Sequence, residues 1–371
     1  MSDEGRATGS LDSAHAERPQ PRSRWSRRST DGEPRHDRAN GGSDDVRPVY
    51  AALDLGTNNC RLLVAKATHE GFRVVDAFSR IIRLGEGVLA SGRISEAAIR
   101  RAVDALAICR DKMHARGVTR ARLIATEACR AAANGEEFRS RIAQEVGLEL
   151  EIIDRQTEAT LAATGCTPLM DPSAESVILF DIGGGSSELV QLDRSPPSGR
   201  GPPPPKIRNW VSFPVGVVTL AERHGGRLVS RETYAAMISE VATYVRSFAE
   251  CHGGLDRNET HLLGTSGTVT TIAGVHLKLR RYERRRVDGC WMGIDQAAHV
   301  IERLLSMSYE ERVANPCIGA ERADLVLAGC AILDAIRLSF PCRRLRVADR
   351  GLREGMLVQM MRQDGAWETS R

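Results

Sequence analysis

The chain has 371 residues, a length that favours two domains, and a net charge of +4 with 27% charged residues, which is modest for a dedicated nucleic-acid binder. Its nine cysteines include no C-x-x-C pair, which favours reduced thiols over a disulfide framework or a zinc site. No apolar run reaches the roughly 18 residues of a transmembrane helix and no apolar signal segment begins the chain, so we expect a cytoplasmic protein without membrane contact.

The first 46 residues are predicted to be a disordered tail. Residues 1–46 are rich in Ser, Gly, Arg, Asp, Glu and Pro and carry almost no aliphatic side chains. Such a segment cannot bury enough apolar surface to order itself. The globular part is therefore expected to begin near Tyr50.

The first motif is a strand–turn–strand hairpin. An apolar run at 50–53 is followed by DLGTNNCRLLV at 54–64, which predicts strands at 50–55 and 60–67. A third strand is predicted at 72–83. The turn between the first two strands begins with Asp54 and Gly56.

Helices and strands alternate in the next hundred residues, which fits one α/β unit. Ser95, Asn134 and Thr157 are each predicted to cap a helix, because a side-chain oxygen there can accept a free N–H of the first turn. The predicted elements are a helix from Glu96 to Gly117, a strand at 123–125, a helix near 135–146, a strand at 148–153 and a helix starting at Glu158.

A second hairpin, VILFDIGGGSSELVQL at 177–192, carries a glycine-rich turn. Successive N–H groups in such a turn can form an anion-binding concavity. A carboxylate on each side, Asp181 and Glu188, would repel a phosphate unless a cation lies between them. The hairpin thus indicates a phosphate site with a divalent metal, although a plain glycine-rich turn with solvated carboxylates is the alternative.

The two hairpins share their internal spacing, which indicates duplicated domains. When Asp54 is aligned with Asp181, Gly56 falls on Gly183 and Arg61 on Glu188. Facing hairpins would put phosphate-binding turns on both walls of one cleft. This pairing favours the phosphate interpretation over the plain hairpin.

The rest of the chain continues the second unit. An insert at 194–206 contains Pro202 to Pro205, which cannot join a strand ladder, and is predicted to project from the hairpin tip, away from Asp181. Gly264 to Thr268 precede a helix whose N-terminus suits an anion. The remaining predictions are strands at 207–213, 261–263 and 344–348 and helices at 230–251, 295–306, 320–339 and 352–362.

The ordered set of motifs resembles the exopolyphosphatase and guanosine-pentaphosphate phosphohydrolase (Ppx/GppA) family. The resemblance covers roughly residues 50–362 and implies two α/β, ribonuclease-H-like domains of the actin, hexokinase and heat-shock-chaperone superfamily, with an interdomain cleft. It implies a domain at 47–156, completed by a C-terminal helix at 352–366, and another at 157–351. The motifs are DLGTNNCRL at 54, ATEACRAAAN at 125, DIGGGSSEL at 181, GTSGTVTT at 264, ERADLVLAG at 321 and DRGLREG at 349.

Residue roles follow from the resemblance. It implies Mg²⁺ or another divalent cation, with Asp54, Asp181 and Glu188 as metal and water-orienting carboxylates. Glu158 is the implied general base, although members commonly carry Glu-Glu-Ala-Arg where this chain has Thr-Glu-Ala-Thr; Glu127 is a rival. The phosphate-binding residues are expected to be Gly56, Thr57, Asn58, Asn59, Arg61, Arg130, Gly183, Gly184, Gly185, Ser186, Ser187, Gly267 and Thr268.

The implied activity is removal of the terminal phosphate of inorganic polyphosphate, or of the 5′ γ-phosphate of guanosine pentaphosphate. Two alternatives remain: a non-catalytic sensor of guanosine tetraphosphate or another nucleotide, which would bind without turnover, and an ATP-dependent kinase of the same superfamily. The expected partners are the phosphate substrates, with no dedicated nucleic-acid site, and a homodimer is left open.

Overall fold

The structure is a computed structural model that describes residues 48–194, 201–250 and 259–367. The predicted tail at 1–46 lies outside these residues. Two mixed sheets make up the scaffold, one of five strands and one of six. Among the described residues, no helix is both long and apolar enough to cross a membrane.

The first sheet has the strand order β3-β2-β1-β4-β5. Its central strand β1 pairs antiparallel with β2 and parallel with β4. In chain order the elements are β1 (Val49–Leu55), β2 (Asn59–Ala67), β3 (Phe72–Ile81), α1 (Val88–Ser91), α2 (Glu96–Ala115), β4 (Arg120–Ala125), α3 (Glu127–Ala131), α4 (Gly135–Val146), β5 (Glu151–Ile152) and α5 (Arg155–Cys166).

The second sheet has the order β10-β11-β9-β6-β7-β8. Its strand β6 pairs antiparallel with β7 and parallel with β9, as β1 does with β2 and β4. The elements are β6 (Ser176–Ile182), β7 (Ser187–Asp193), β8 (Lys206–Phe213), α6 (Val217–His224), α7 (Arg231–Glu250), β9 (Thr260–Thr265), α8 (Gly267–His276), α9 (Arg284–Val287), β10 (Trp291–Gly293), α10 (Ile294–Ser306), α11 (Tyr309–Ala314), α12 (Val326–Ser339), β11 (Arg344–Ala348) and α13 (Leu352–Gln363).

The central strands are buried on both faces, which explains their nearly continuous apolar sequence. In β1, Leu53 and Leu55 join one core cluster, while the alternate residue Tyr50 joins the cluster on the other face. In β6, the neighbouring residues Phe180 and Leu179 likewise belong to core clusters on opposite faces of the strand. Each hairpin therefore starts from a rigid central strand that ends at its turn.

Helices α5 and α13 lie between the two sheets. In α5, Leu161 packs in the cluster of the first sheet and Ala163 in a cluster of the second. A Cβ on Gly355 of α13 would lie 1.9 Å from the Leu161 carbonyl oxygen. The helices thus contact each other through backbone, and this contact fixes the start of α13 relative to the helix that carries Glu158.

Substituting Gly355→Ala is expected to lower the free energy of unfolding by about 1 to 3 kcal/mol, because the helices must separate to admit the methyl group. Urea denaturation monitored by circular dichroism measures this. Gly71→Ala is the matched control, since no atom lies within 4 Å of the position of its Cβ. Equal midpoints for the two variants would contradict the close contact.

Of the three predicted helix caps, Thr157 is wrong, and Asn134 occupies the N-cap position of its helix without a side-chain cap bond. The Ser95 cap is confirmed, since its side chain accepts from the Ala98 N–H. Helix α5 begins at Arg155, not Glu158, because the Asp154 carboxylate caps it by accepting the Thr157 N–H at 2.6 Å. The Asn134 side chain makes no cap; it exchanges two hydrogen bonds with the backbone of Ile94 instead.

Other differences concern element lengths. The strand predicted at 148–153 is reduced to β5, and Leu148 and Leu150 serve as core residues outside the ladder. The helix predicted at 320–339 begins at Val326. The sequence prediction missed the short helices α1, α3, α6, α9 and α11 and the short strand β10.

The proline-rich insert joins β7 to β8 at the end of the hairpin remote from the Asp181 turn, as predicted. It does not simply project, however. Arg362 donates a hydrogen bond to the Pro202 carbonyl oxygen at 2.8 Å, and Gly201 lies against the Trp367 ring. The described part of the insert therefore packs on the C-terminal segment. The domain boundary predicted between residues 156 and 157 stays a prediction.

Candidate active site

The two predicted hairpins have the same register. Asp54 at the end of β1 lies opposite Arg61 of β2, and Asp181 at the end of β6 lies opposite Glu188 of β7. This confirms the alignment made from the sequence. Each Asp thus faces a charged side chain across its ladder, a cation in the first hairpin and an anion in the second.

The two turns lie against each other. A Cβ on Gly184 would come within 2.9 Å of the Thr57 Cβ, and one on Gly185 within 2.9 Å of the Thr57 hydroxyl oxygen. The glycines are therefore required by this close approach. Within the described residues, the main-chain N–H groups of Thr57, Gly184 and Gly185 donate no hydrogen bond to the protein, which leaves them free for an anion.

A cavity of ≈ 610 Å³ opens between the sheets beside these turns. It gathers nearly every residue that the sequence predicted for the site. The predicted residues that line it are Asp54, Gly56, Thr57, Asn58, Asn59, Arg61, Glu158, Asp181, Gly183, Gly184, Gly185, Ser186, Glu188, Gly267 and Thr268. The rival Glu127 also lines it.

Two predicted phosphate-binding residues do not line the cavity. Ser187 is fully buried and its hydroxyl donates to the Val215 carbonyl oxygen. Arg130 lies behind Glu158, to which it donates at 2.7 Å, and its other bonds reach Glu127 and the Ile153 carbonyl oxygen. Both side chains have their donors engaged by the protein, so neither lies free towards a phosphate.

The acidic side chains perturb one another strongly. Burial raises the pKa of Glu158 to about 7, with contributions from Asp54 and Asp181, although Arg130 opposes the shift. Burial and the Asp54 charge raise the pKa of Asp181 to about 6. Burial likewise raises the pKa of Glu188, whose Oε1 accepts hydrogen bonds from Ser186 and Ser212. Glu158 is therefore suited to accept a proton near neutral pH.

Glu127 lies in a different environment. It is the first residue of the short helix α3. Burial would raise its pKa, but hydrogen bonds from Arg155 and Arg130 dominate and lower the pKa below its ordinary value. A carboxylate held this firmly by two guanidinium groups is a weak base. The geometry thus favours Glu158 over Glu127.

The sequence prediction missed several polar residues of the cavity. Arg353 lies at the start of α13, and its side chain makes no hydrogen bond or ion pair with another described residue; the same holds for the side chains of Arg61 and Arg322. Ser266 has φ of 88°, and its buried hydroxyl has no hydrogen-bond partner within the part of the chain that the structure describes. The DRGLREG and GTSGTVTT motifs contain Arg353 and Ser266, so the strand-to-helix junctions at those motifs could have indicated them. The further ionisable residues that line the cavity and that the sequence prediction missed are Tyr282, Arg284, Asp349, Arg350 and Glu354.

The donor set is compatible with a cation that arrives with phosphate. Within the described ranges, no three His, Cys, Asp or Glu side chains are arranged to hold a metal ion by themselves. Burial nevertheless raises the pKa values of Asp54 and Asp181, with the Asp54 charge adding to the shift at Asp181, and a bound cation would favour the ionised form of both carboxylates. Mg²⁺ commonly binds through one or two carboxylates and completes its shell with water and phosphate oxygens. The residues fit that mode.

A model of the Ppx/GppA phosphatase family matches residues 63–364. The chain belongs to the Ppx/GppA phosphatase family. The family resemblance suggested by the motifs is thereby confirmed.

Relatives within the Ppx/GppA family agree with this assignment. A guanosine-5′-triphosphate,3′-diphosphate pyrophosphatase of Photobacterium profundum is 26% identical over 85% of this chain, and the match covers 60% of that relative. The Aquifex aeolicus Ppx/GppA structure is 28% identical, with a TM-score of 0.70 over 85% of this chain and 98% of that one. An exopolyphosphatase-like protein structure is 26% identical, with a TM-score of 0.73 over 85% and 98%.

These matches test the predicted fold and show how much of the relatives' length the chain spans. The agreement with solved Ppx/GppA structures confirms the predicted α/β fold of two ribonuclease-H-like units of the actin superfamily. The chain spans 60% of the length of the curated pyrophosphatase relatives.

Proposed function

We propose that this protein is a phosphohydrolase that releases the terminal phosphate of inorganic polyphosphate, the 5′ γ-phosphate of guanosine pentaphosphate, or both. The observation that carries the proposal is the position of Glu158. Its carboxylate lines the cavity formed beside the two phosphate turns, and burial raises its pKa to about 7. The names of the pyrophosphatase and exopolyphosphatase-like relatives support the substrate class.

The turns would hold the terminal phosphate between them. The free N–H groups of Thr57, Gly184 and Gly185 can donate to its oxygens from both walls of the cavity. Helix α8 adds the N–H groups of Gly267 and Thr268 at its N-terminus, where the helix dipole favours negative charge. These donors fix the phosphorus atom without a covalent bond to the enzyme, which suits phosphoryl transfer.

Asp54 and Asp181, with Glu188 beside them, would hold a divalent cation against the phosphate. A bound Mg²⁺ would neutralise phosphate charge and polarise the phosphorus–oxygen bonds. Glu188 keeps its position through the two hydroxyls of Ser186 and Ser212. These carboxylates repel one another in the absence of a cation, so they are expected to bind it most firmly when the phosphate shares its charge.

Glu158 would act as the general base. It accepts a proton from a water molecule as the water oxygen bonds to the terminal phosphorus, and the bond from that phosphorus to the bridging oxygen breaks. Arg130 holds the Glu158 carboxylate from behind through a 2.7 Å bond. Arg130 is thus a positioning residue and a regulator of the base's pKa, not a phosphate ligand.

Replacing Arg130 tests that role. Because Arg130 opposes protonation of Glu158, Arg130→Gln should raise the pKa of the base and move the acid limb of the kcat/KM profile to higher pH by about one pH unit or more. Arg130→Lys should restore part of the original profile. The measurement is phosphate release between pH 5 and 9.

Arg155→Gln is the matched control, because Arg155 bonds Glu127 and not Glu158. Its acid limb should stay in place. A raised KM with an unmoved acid limb in Arg130→Gln would instead mean that Arg130 contacts the substrate.

The proposed function is tested by phosphate release from long polyphosphate, tripolyphosphate and guanosine pentaphosphate, side by side with Mg²⁺. Phosphate release from at least one substrate is expected, and a metal chelator should abolish that release. Binding of guanosine phosphates without release would favour the sensor, and phosphate transfer from ATP to an acceptor would favour a kinase. Either result would overturn the proposal.

A further inference from the structure

The first of the two phosphate turns is supported from behind by the loop that follows β3. The Asn58 carbonyl oxygen accepts the N–H groups of Ile82 and Arg83, at 2.9 and 3.0 Å. The Thr57 carbonyl oxygen accepts the Gly85 N–H at 2.8 Å, and a Cβ on Gly85 would lie 2.3 Å from the Thr57 Cγ2. A shift of this loop therefore moves the first turn with it.

Helix α6 supports the second turn in the same way. At the start of the helix, the Val217 N–H donates to the Gly183 carbonyl oxygen at 2.9 Å. The Val218 N–H donates to the Gly184 carbonyl oxygen at 2.8 Å. A Cβ on Gly216, just before the helix, would lie 2.4 Å from that same oxygen. The second turn and α6 therefore move together.

The spacing of the two turns is not fixed by the turns themselves. Thr57 lies against Gly184 and Gly185, but within the described residues no main-chain hydrogen bond joins one turn to the other. A phosphate that takes donors from both turns needs one spacing, because a hydrogen bond weakens steeply as its distance and angle depart from the ideal. That spacing depends on the contacts that hold the loop after β3 to α6.

Two contacts between the units hold these supporting segments together. The Arg83 guanidinium donates to both carboxylate oxygens of Asp324, at 2.8 and 3.1 Å, and to the Glu321 carbonyl oxygen at 3.1 Å. The Gly87 N–H, just before α1, donates to the Glu222 carboxylate of α6 at 2.8 Å. Arg83, Asp324, Gly87 and Glu222 thus form a clasp between the two units.

Both ends of the Arg83–Asp324 pair are firmly held. Arg83 has φ of 46°, a conformation that is uncommon for a residue with a side chain and persists only where the surroundings determine it. Arg101 supplies such surroundings, because it donates to the carbonyl oxygens of Ile82 and Arg83 at 2.7 and 3.1 Å. Asp324 lies against the end of α6, since a Cβ on Gly226 would come within 1.9 Å of its carbonyl oxygen. Movement of either residue is therefore passed to the turn behind it.

We propose that the clasp sets the spacing of the two phosphate turns, and that Arg83 and Asp324 are positioning residues for phosphate release. The inference rests on the proposed hydrolysis. Neither residue lines the cavity, so each acts through the turn that its segment supports. The guanidinium fork on a carboxylate fixes orientation as well as distance. Without it the segments can separate, and the phosphate loses donors from one turn.

The test compares Arg83→Gln, Asp324→Asn and the double variant. Each single substitution should lower kcat/KM for tripolyphosphate by about 10- to 10²-fold, because a displacement of about 1 Å at the reacting groups has an effect of that order. The double variant should lose no more than the weaker single variant, since residues in contact act as a unit. Arg83→Lys should be intermediate, because it keeps the charge without the fork. Losses that add in the double variant would overturn the proposal.

Arg141→Gln is the matched control. Arg141 is about as exposed as Arg83, 34% against 30% of the side chain, and it pairs with Glu96 inside the first unit. Its substitution removes the same charge from an ion pair that supports neither turn, so its kcat/KM should match the parent. An equal loss in Arg141→Gln would show that the clasp has no special role.

Binding allows the two proposals to fail separately. In a Glu158→Gln background, calorimetry with Mg²⁺ should show tripolyphosphate bound about tenfold more weakly by Arg83→Gln, the order of one hydrogen bond to a charged group. If the parent releases phosphate and Arg83→Gln keeps its kcat/KM and affinity, the clasp is wrong and the hydrolysis stands. If the parent releases none, the hydrolysis fails and the affinities alone decide on the clasp. Thermal unfolding midpoints check that the variants are folded, and Asp324→Asn carries the comparison if Arg83→Gln is not.

Discussion

Glu158→Gln is expected to lower kcat for phosphate release by about 10²- to 10⁴-fold, the usual contribution of a general base. The substitution keeps the shape of the side chain and an oxygen that can accept the bond from Arg130, but it removes the proton acceptor. Substrate affinity should survive, because the phosphate is held by the turns and by other side chains. Steady-state phosphate release and calorimetric binding, measured on the same preparation, give the two quantities.

Glu127→Gln is the internal comparison. Glu127 also lines the cavity, yet its carboxylate is bonded by both Arg155 and Arg130. Its substitution should lower kcat much less than that of Glu158, with the loss arising from a displaced Arg130. Near-normal kcat in Glu158→Gln together with a large loss in Glu127→Gln would show that the base has been assigned to the wrong carboxylate.

Asp181→Asn is expected to have the second largest effect, through the cation. Removing a carboxylate ligand should weaken apparent Mg²⁺ affinity by about 10²-fold or more, since even an outer-shell partner contributes 10- to 100-fold. The loss of phosphate release should therefore be partly reversed by excess Mg²⁺. Glu158→Gln should show no such recovery, and Mg²⁺ titrations of the two variants make the comparison.

Folding should not account for the Asp181→Asn defect. Burial raises the pKa of Asp181 to about 6, above its ordinary value, so its ionisation in the folded state lowers stability at pH 7. A neutral Asn should leave the metal-free protein as stable as the parent or more so. Asp193→Asn, at the far end of the same hairpin, is the control and should keep the parent Mg²⁺ curve. A loss of phosphate release in Asp181→Asn that does not change with Mg²⁺ concentration would contradict the role of Asp181 as a metal ligand.

The sequence predicted the scaffold of the site well, for a local reason. An apolar strand that ends in Asp-x-Gly and is followed at once by a second strand determines where the turn between them lies. Two such hairpins with equal spacing predicted the pairing of Asp54 with Arg61 and of Asp181 with Glu188. These are contacts between near neighbours in the chain. Twelve of the fifteen predicted residues that line the cavity belong to these two hairpins.

Long-range contacts explain where the predictions failed. Arg130 is near Glu127 in sequence, but its bond to Glu158 depends on α5 packing 28 residues away. The motif does not indicate that the Arg130 side chain lies behind the Glu158 carboxylate. Arg353 was missed because no local pattern shows whether a guanidinium is paired. Arg350, three residues earlier in the chain, donates hydrogen bonds to the Asp288 carboxylate.

The central claim is that water attacks the terminal phosphorus of a substrate held in this cavity. The most direct measurement is a single-turnover reaction in ¹⁸O-labelled water with Mg²⁺, followed by mass spectrometry of both products. We expect labelled oxygen in the released orthophosphate and none in the shortened polyphosphate or guanosine tetraphosphate, at a rate reduced about 10²-fold or more by Glu158→Gln. Label in the shortened product, or unlabelled orthophosphate, would contradict the account.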